Sequence, residues 1–345
     1  MKKERYGERS VQFIQSLVAT TTISLPLAKD QEPSRPRPAW YETWRRFARN
    51  KPALLGLAVI VLLLFTALTA QWIAPYDYRK TNLDQSAKPP SREHLLGTDV
   101  IGRDMLSRLI YGARSVVFVI VIVATVSLSI GVVMGALAGY FGGWTDTLIS
   151  RLIDFLFAFP DLLFIFFIAA TIKPALVRGL RSFAQQNNMQ WLTDFVRSGY
   201  ADYLVVMIAL SILGWAVLAR VVRAQILALR EKEFVIGAQA VGVSNWRIIT
   251  RYLIPNALAP ILVSISLGLG GIALSEGILA YLGIGLQPPN PSWGGILADN
   301  IGLFWRTWPE MLWLIFLPFA VMAAVVFAFN FVGDGLNEAL NPELQ

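Results

Sequence analysis

Apolar residues in this sequence gather into six blocks, separated by polar, charged or proline-rich stretches. The blocks cover residues 53–74, 115–139, 152–172, 202–222, 256–282 and 311–332. Each approaches or exceeds the roughly 20 apolar residues that a helix needs to cross the hydrocarbon core of a bilayer. The pattern therefore predicts an all-α membrane protein with six transmembrane helices.

The composition also favours a membrane protein. Hydrophobic residues make up 55% of the 345 residues and charged residues 15%, and the mean hydropathy is +0.53. Soluble domains are usually nearer to about 25% charged. These values exclude a disordered chain, a secreted disulfide scaffold and an ordinary cytosolic enzyme.

Few residues could support catalysis or bind a metal. The chain has no cysteine, which excludes disulfides, thiol catalysis and cysteine-ligated zinc, and His94 is its one histidine. It also lacks the G-x-x-x-x-G-K-[ST] motif that binds nucleotide phosphates. An intramembrane enzyme would need a nucleophile and a base, and the sequence offers no convincing pair. We therefore expect a chain that is not an enzyme and that binds no metal or cofactor itself.

Lysine and arginine counts predict the orientation, because cytoplasmic loops carry the excess of positive charge. With the N-terminus inside, 18 of the 30 lysines and arginines fall on the cytoplasmic side and 12 outside. Six spans then place the C-terminus inside as well. The net charge of +7 belongs to loops that flank the membrane, so we expect contact with lipid and no nucleic-acid partner.

The N-terminal region divides into a tail and a short helix. Residues 1–39 are predicted to be a cytoplasmic tail, with prolines marking its end, although the apolar run 11–27 could also be interpreted as a signal peptide. Residues 40–52 mix aromatic and basic side chains at roughly helical spacing. They predict a helix at the membrane surface, ahead of a transmembrane domain at 53–340.

The long outer loop, 76–114, ends in a predicted helix start. Asp104, Arg108 and Tyr111 are spaced to share one helical face, and Asp104 precedes Arg108 in the register of an ion pair. The turn at 97–99 is expected to cap this helix. We interpret Asp104 and Arg108 as structural residues that fix the loop to the outer rim.

Two other outer loops separate the later spans. Residues 173–201 are predicted to form two short helices outside the membrane, on either side of a glutamine and asparagine run at 185–188. Residues 283–310 contain clustered prolines, which exclude a regular helix at that cluster. The tryptophans of this loop fit the aromatic belt of a membrane interface: Trp293, Trp305 and Trp308.

The segment between the fourth and fifth spans predicts a pair of short helices at about 231–246. Gly242 turns the chain between them, and Ser244 is placed to cap the second helix. Pro255 then opens the fifth span as a structural residue.

This helical pair has the features of a docking element on the cytoplasmic side. Gly237, Ala238 and Ala240 are small enough to allow close packing against a partner. Arg247 and Arg251 place positive charge nearby. A plain connecting loop, the alternative, would need none of this arrangement.

The run from Ala238 to Pro255 resembles the signature loop of ABC importer permeases, E-A-A-x3-G-x9-I-x-L-P. Gly242 and Pro255 stand at the spacing of that motif, and Ala238 holds the position of its second alanine. The sequence departs from the motif at four positions, where Ile236 replaces Glu, Gly237 replaces the first Ala, Tyr252 replaces Ile and Ile254 replaces Leu.

Four stretches resemble, more narrowly, the second permease of dipeptide and oligopeptide importers. They are LGTDVIGRD at 96–104, GYFGG at 139–143, Phe-Pro at 159–160 and GIGLQPPNPSWG at 283–294. The resemblance covers about residues 40–340. Four spaced motifs in the same order make it specific.

This resemblance implies a type I ABC importer permease fold in the plasma (inner) membrane of a bacterium. It implies pairing with a second homologous permease, delivery of peptides by an extracytoplasmic substrate-binding protein, and two cytoplasmic ATPase subunits that hold the ATP and Mg. Coupling helices at about 231–246 would contact these ATPases. The coupling residues implied are Glu233, Gly237, Ala238, Ala240, Gly242, Ser244 and Arg247.

Carboxylates inside apolar spans are costly and therefore informative. Asp154 and Asp161 are seven residues apart in the predicted third span, where Pro160 should kink or locally open the helix. Glu276 lies in the fifth span after a glycine-rich segment at 268–271 that we expect to permit a tight helix crossing. Asp161 and Glu276 are pathway candidates, although hydrogen bonding between helices is the alternative for both, and Asp154 is expected to anchor structure.

Two kinds of alternative stay open. The same machinery could carry a nickel chelate, glutathione or an oligosaccharide, since relatives with these cargoes look alike. A proton-coupled secondary transporter could instead use Asp154, Asp161 and Glu276 as a proton relay. Against that class stand the docking element and the lack of a visible inverted repeat.

Overall fold

The structure is a computed structural model, and it describes residues 39–307 and 311–340. Within these residues the secondary structure is helical throughout, with no β-strand. The helices are α1 Ala39–Phe47, α2 Lys51–Ile73, α3 Met105–Phe141, α4 Gly143–Phe157, α5 Asp161–Gln186, α6 Gln190–Arg197, α7 Tyr200–Arg230, α8 Glu233–Ala240, α9 Asn245–Ile248, α10 Ile254–Tyr281, α11 Trp293–Thr307 and α12 Trp313–Leu340. A 3₁₀ turn at Leu83–Gln85 and a π turn at Ile249–Leu253 complete the described elements.

Six helical segments of the described chain are long and apolar enough to cross a membrane, which confirms the predicted number of spans. They are Lys51–Ile73, Met105–Phe141, Asp161–Gln186, Tyr203–Arg230, Asn245–Tyr281 and Trp313–Leu340. Segments of 23 to 37 residues exceed the length that the hydrocarbon core requires.

The third apolar block does not form the single span predicted over 152–172, and Pro160 opens the chain there rather than kinking a continuous helix. The block is divided between α4, which ends at Phe157, and α5, which begins at Asp161. Pro160 stands between them at the N-cap of α5. Proline lacks a backbone N–H and disfavours helix in the residue before it, so it ends the first helix and starts the second.

The outer segment 173–201 is also more helical than a loop. Helix α5 continues to Gln186, through Pro174, and only α6 is a short separate helix. The glutamine and asparagine run marks the break, because Asn187 and Asn188 lie between the two helices and Asn188 has a positive φ of 50°. Of the two predicted short helices, one is therefore the end of a span.

The loops that join successive spans lie alternately at the two ends of the helix bundle. We call the end with residues 74–104, 187–199 and 282–292 the long-loop end. The opposite end, with 142–160 and 231–253, is the hairpin end. Contacts within each end agree with this: Asn290 donates to the Ser198 carbonyl at 2.7 Å, and Tyr140 donates to Asn245 Oδ1 at 2.8 Å.

Helix α7 forms the centre of the bundle, and α3 crosses it closely. The most apolar stretch of α7 is 67% buried, against 17% to 33% for the other spans. Gly131, Gly135 and Gly139 of α3 face α7, where a Cβ on Gly135 would lie 2.6 Å from the Ala219 carbonyl oxygen. Small residues at every fourth position bring the two backbones together.

The glycine-rich segment of α10 makes the predicted close crossing, with α12, through only part of its length. A Cβ added to Gly268 or Gly271 would meet no atom within 4 Å. Gly270 alone of the three faces a neighbouring helix, α12: a Cβ added there would lie 3.1 Å from the Val326 carbonyl oxygen. A second close approach, between α3 and α7, was not predicted.

Helix α3 is capped by Asp104 itself, so both the predicted Asp104–Arg108 ion pair and the predicted cap at 97–99 were wrong. The Asp104 carboxylate accepts from the backbone N–H of Ser107 at 2.8 Å and from its hydroxyl at 2.7 Å. Its second oxygen lies 2.8 Å from His94 Nδ1. A cap side chain folds back over the first turn, which carries it away from Arg108.

Arg108 instead joins a buried cluster of four charges at the long-loop end. Asp99 accepts from Arg103 Nε and from Arg108 Nη1, each at 2.6 Å. Asp299 of α11 accepts from both guanidinium groups at 2.8 and 2.7 Å. The cluster ties the long loop to α3 and α11, which fits the structural role that we predicted for Arg108.

Trp293 is buried, which corrects its predicted place in an interface belt. Its indole N–H donates to the Leu109 carbonyl at 3.0 Å, and the side chain is 2% exposed. Gly112 leaves room for the ring, since a Cβ there would lie 2.6 Å from Trp293 Cδ1. The side chain of Trp305 and the whole of Trp308 lie outside the described residues.

The helix predicted over 40–52 is shorter, since α1 ends at Phe47. Asn50 caps the next helix, α2, and accepts from the Ala53 N–H at 3.0 Å. The predicted tail at 1–39, including the apolar run 11–27, lies outside the described residues apart from Ala39.

Helix α4 is held to α7 at the hairpin end. Arg223 Nη2 donates to Asp146 Oδ2 at 2.6 Å. This guanidinium, which bonds both carboxylate oxygens, holds the pKa of Asp146 below its ordinary value. Asp146 therefore stays ionised at neutral pH and keeps the pair intact.

Candidate functional site

The predicted docking element is a compact turn between two helices at the hairpin end. Helix α8 ends at Ala240, and Gly242 has a φ of +79°, the left-handed conformation that glycine adopts without strain. The backbone N–H of Val243 donates to the Ala238 carbonyl at 3.0 Å and closes the turn. Ser244 occupies the N-cap position of α9, as predicted, but its side chain makes no capping hydrogen bond.

One face of this hairpin is packed against the bundle. Val235 is fully buried and Ala238 is 8% exposed. Both belong to an apolar cluster with Val222 and Ile226 of α7 and with Ile248 of α9. The hairpin is therefore fixed to the transmembrane helices rather than hanging from them.

The opposite face carries large apolar side chains that contact little else in the described chain. We call it the hairpin patch, and its members are Phe234 (42% exposed), Ile236 (54%), Val241 (80%) and Trp246 (64%). Exposed apolar groups gathered at such a turn are typical of protein-interaction surfaces. Glu233 and Arg247 are exposed beside the patch and supply both signs of charge.

The small residues named from the sequence lie on both faces of the hairpin. Ala238 packs inward, whereas Gly237 and Ala240 are exposed, and a Cβ on Gly237 would meet no atom within 4 Å. Close packing within the chain therefore needs Ala238 alone. The large residues of the patch were missed, although Ile236 lies well away from Val235 and Ala238 on the helical period and could have been identified.

The motif departure at Ile236 belongs to this surface. Ile236 is exposed, so the position that carries Glu in the signature motif points away from the bundle here as an apolar side chain. The change makes the patch more apolar and leaves the helix intact, since α8 includes the residue.

Pro255 opens the fifth span after an irregular turn. It is among the first residues of α10, directly after the π turn at Ile249–Leu253. A proline cannot donate to the turn before it, and a wider turn accommodates that missing bond. Because Asn245–Tyr281 is otherwise continuously helical, the second helix of the docking element and the fifth span form one long segment.

Asp154 and Asp161 do not share a helical face, because they stand on separate helices. Asp154 of α4 is exposed and lies 3.0 Å from Arg220 Nη2 of α7. Asp161 is the first residue of α5 and lines a cavity of about 280 Å³ at the membrane level. Serines and glycines of α3 and α10 line the same cavity: Ser127, Ser264, Gly268, Gly271 and Ser275.

Glu276 has a structural position in this conformation. It is 1% exposed, and one carboxylate oxygen accepts from the Tyr203 hydroxyl of α7 at 2.8 Å. No cavity described for the chain includes Glu276 among its lining residues. The contact joins α10 to α7, so the pathway prediction for Glu276 gains no support, and the alternative of helix-to-helix hydrogen bonding describes it better.

No group of three or more His, Asp or Glu side chains in the described residues is arranged to hold a metal ion.

Comparison with known proteins identifies the family. The family described as "Binding-protein-dependent transport system inner membrane component" matches residues 131–345. The family described as "N-terminal TM domain of oligopeptide transport permease C" matches residues 39–90. Together the two matches cover the docking element, five of the six spans and the first short helix.

Curated relatives match along most of the chain. The oligopeptide transport system permease protein OppC of Bacillus subtilis (strain 168) is 35% identical over 89% of this chain and 90% of its own length. The dipeptide transport system permease protein DppC of Alkalihalophilus pseudofirmus is 35% identical over 91% of this chain and 96% of its own. The glutathione transport system permease protein GsiD of Pectobacterium atrosepticum is 31% identical over 93% of this chain.

Six apolar spans, a fixed hairpin between the fourth and fifth, and these matches lead to one conclusion. The chain is a multi-pass membrane protein with the type I ABC permease fold, and it belongs to the family of binding-protein-dependent transport system inner membrane components.

Proposed function

We propose that this chain is the permease subunit of an ATP-driven importer of dipeptides and oligopeptides. It forms half of the translocation pathway beside a second homologous permease. An extracytoplasmic substrate-binding protein delivers the cargo, and two cytoplasmic ATPase subunits drive transport. The chain itself binds no ATP or Mg and catalyses no reaction.

The hairpin patch is the observation that carries this proposal. Four large apolar side chains are exposed at a turn whose other face is fixed to α3 and α7. A rigidly held apolar surface can receive a push from a partner and pass it to the spans. The hairpin end is then cytoplasmic, in agreement with the positive-inside count, and both termini face the cytoplasm.

The relatives support a peptide cargo. Permeases of oligopeptide, dipeptide and glutathione transport systems all match this chain at 31% to 35% identity. Glutathione is itself a short peptide derivative, so it is the second candidate cargo.

A proton-coupled secondary transporter is the less favoured class. Its proposed relay would need Asp154, Asp161 and Glu276 to exchange a proton. They stand on three helices, where Asp154 pairs with Arg220 and Glu276 with Tyr203. Two of the three carboxylates are therefore bonded to other side chains and not to each other, as a proton relay would need.

Charge placed in the hairpin patch tests the proposal. We expect Val241→Glu, at the most exposed position of the patch, to reduce the co-purifying ATPase subunits and ATP-dependent peptide uptake about tenfold or more, because it would bury an unpaired charge in the interface. Leu83→Glu is the matched control, since Leu83 is 73% exposed at the long-loop end.

Membrane insertion of both variants should equal that of the unmodified chain. A Val241→Glu variant that keeps its ATPase subunits and imports peptide normally would contradict the docking role. An unmodified complex that moves substrate without ATP would instead favour the secondary transporter.

A further inference from the structure

A cleft of about 900 Å³ opens at the long-loop end, away from the hairpin and from Asp161. It lies among the end of α2, the first turns of α3 and the start of α7. Six aromatic side chains line it: Tyr76, Tyr78, Tyr111, Phe118, Phe195 and Tyr200. Its charged lining residues are two arginines and one aspartate, Arg79, Arg114 and Asp77, which leaves an excess of positive charge.

Arg79 is held so that its terminal nitrogens are available. Its Nε donates to the Tyr78 hydroxyl at 2.9 Å, and its guanidinium lies over the Tyr78 ring at 5.1 Å from the centroid. The Tyr78 hydroxyl in turn donates to Asn290 Oδ1 at 3.2 Å, and Asn290 is bonded to the Ser198 carbonyl. Tyr78 and Asn290 are both buried, so a fixed polar chain orients an exposed arginine.

The carboxylate of Asp77 forms no ion pair with this arginine side chain among the described residues. Asp77 Oδ1 accepts from the backbone N–H of Arg79 at 2.9 Å, and no ion pair joins the two side chains in the described structure. Arg114 is exposed and likewise makes no ion pair among the described residues. Both cations are thus available to an anion that enters the cleft.

Aromatic pairs form the walls around these cations. The rings of Tyr78 and Tyr111 are 4.3 Å apart on one side. Tyr200 on the other side contacts Phe118 and Phe195, each at 6.3 Å between centroids. Planar walls beside an oriented guanidinium fit a carboxylate with apolar side chains next to it, since arginine binds carboxylates through two parallel bonds.

We propose that this cleft binds the C-terminal carboxylate of a short peptide at the long-loop end, with Arg79 and Arg114 as the carboxylate ligands. The volume fits a ligand of that size, because sites for small molecules usually hold about 300–1,000 Å³. The inference rests on the proposed function and deepens it, since it assigns a holding site to the cargo before the cargo enters the spans.

Site-directed labelling tests the cleft directly, because the chain has no cysteine of its own. Gln71→Cys places one thiol at the lining of the cleft, and Leu83→Cys places one on an exposed surface outside it. The assembled transporter in lipid nanodiscs, without binding protein, is treated with a membrane-impermeant maleimide and increasing trialanine. Label on this chain is measured against trialanine amide, which lacks the terminal carboxylate.

We expect trialanine to slow labelling at Gln71→Cys, trialanine amide to have little effect, and neither to change labelling at Leu83→Cys. Arg79→Gln or Arg114→Gln should raise the half-protecting concentration about tenfold or more, the effect of losing one charge-assisted hydrogen bond. Lys80→Gln removes a neighbouring exposed cation that does not line the cleft, so it should leave protection unchanged.

Several results would overturn the site. They are equal protection by the amide, equal loss of protection in Lys80→Gln, or no protection at all. Protection only when the binding protein is added without peptide would also overturn it, because the cleft would then be a protein-docking surface. Displacement by anionic lipid but not by trialanine would identify a lipid headgroup site instead. Uptake of trialanine by the unmodified complex is measured separately, so a failed site and a failed importer assignment give different results.

Discussion

At the scale of single residues, Asp99 is the more deeply buried of the two aspartates in the charge cluster at the long-loop end. It is fully buried and accepts from both Arg103 and Arg108. Asp299 bonds the same two arginines but keeps 29% of its side-chain surface exposed. The two aspartates thus differ mainly in solvent access: if the carboxylate is removed, water can reach the arginines at Asp299 more easily than at Asp99.

We therefore expect Asp99→Asn to destabilise the fold more than Asp299→Asn. Removing one member of a buried ion cluster leaves an uncompensated charge and lowers the free energy of unfolding by about 3–5 kcal/mol. Asp299→Asn should have a smaller effect, because solvent reaches that side. Thermal unfolding of the assembled transporter in detergent measures both, and equal shifts would show that burial does not govern the cluster.

Sequence reasoning at this scale identified residue types but not their partners. Asp104 and Arg108 are both structural, yet the i to i+4 register suggested a pair that the cap geometry prevents. Asp299 is 191 residues from Arg108, so no local spacing could have revealed that bond. The hairpin patch was missed because small residues drew attention to packing, whereas the exposed face holds large ones.

At the scale of elements, the crossing of α3 and α7 depends on glycines that admit the opposing backbone. Gly135 offers the sharpest case, with Ala219 O at 2.6 Å and Val222 Cβ at 2.7 Å from an added Cβ. Gly271 of α10 is the matched control, since a Cβ there would meet nothing within 4 Å.

We expect Gly135→Ala to lower the free energy of unfolding by about 1–3 kcal/mol, the usual effect of overpacking. Gly271→Ala should be neutral or slightly stabilising, because alanine favours helix more than glycine does. Yield of folded protein and unfolding temperature measure the difference. Equal losses of stability in both variants would mean that the flexibility of glycine, rather than close contact with α7, explains the effect.

The number of spans was predictable because apolar length alone decides it, but the helix ends were not. A hydropathy block takes no account of where a proline divides it, so 152–172 concealed a break between α4 and α5. Likewise, the polar residues at 185–188 correctly marked the end of α5. The basic residues before them, at 173–181, suggested a loop where α5 in fact continues. Tight crossings depend on which face of a helix meets a neighbour, so glycine content alone did not show that Gly270, rather than Gly268 or Gly271, faces α12.

At the scale of the whole molecule, burial is concentrated in one helix. The apolar stretch of α7 is 67% buried and that of α5 only 17%. The surfaces that remain on the outer helices are open to lipid or to a second permease.

We expect a partner permease to protect α5 more than α7. Hydrogen exchange of backbone amides reports local opening, and segments with few buried contacts open most easily. Exchange should therefore slow in Asp161–Gln186 when the second permease is present and change little in Tyr203–Arg230. Equal slowing in both segments would place the partner interface elsewhere.

The continuous helix from Asn245 to Tyr281 has a mechanical consequence. Its 37 residues span about 55 Å at 1.5 Å per residue, from the hairpin patch to a point beyond Glu276. A rod of that length cannot shorten, so a displacement of the hairpin must either tilt its far end or bend the rod. The π turn at Ile249–Leu253 lies close to the end that the hairpin would displace. Its stiffness therefore decides how much of that displacement bends the helix locally and how much moves the far end of the helix across the membrane.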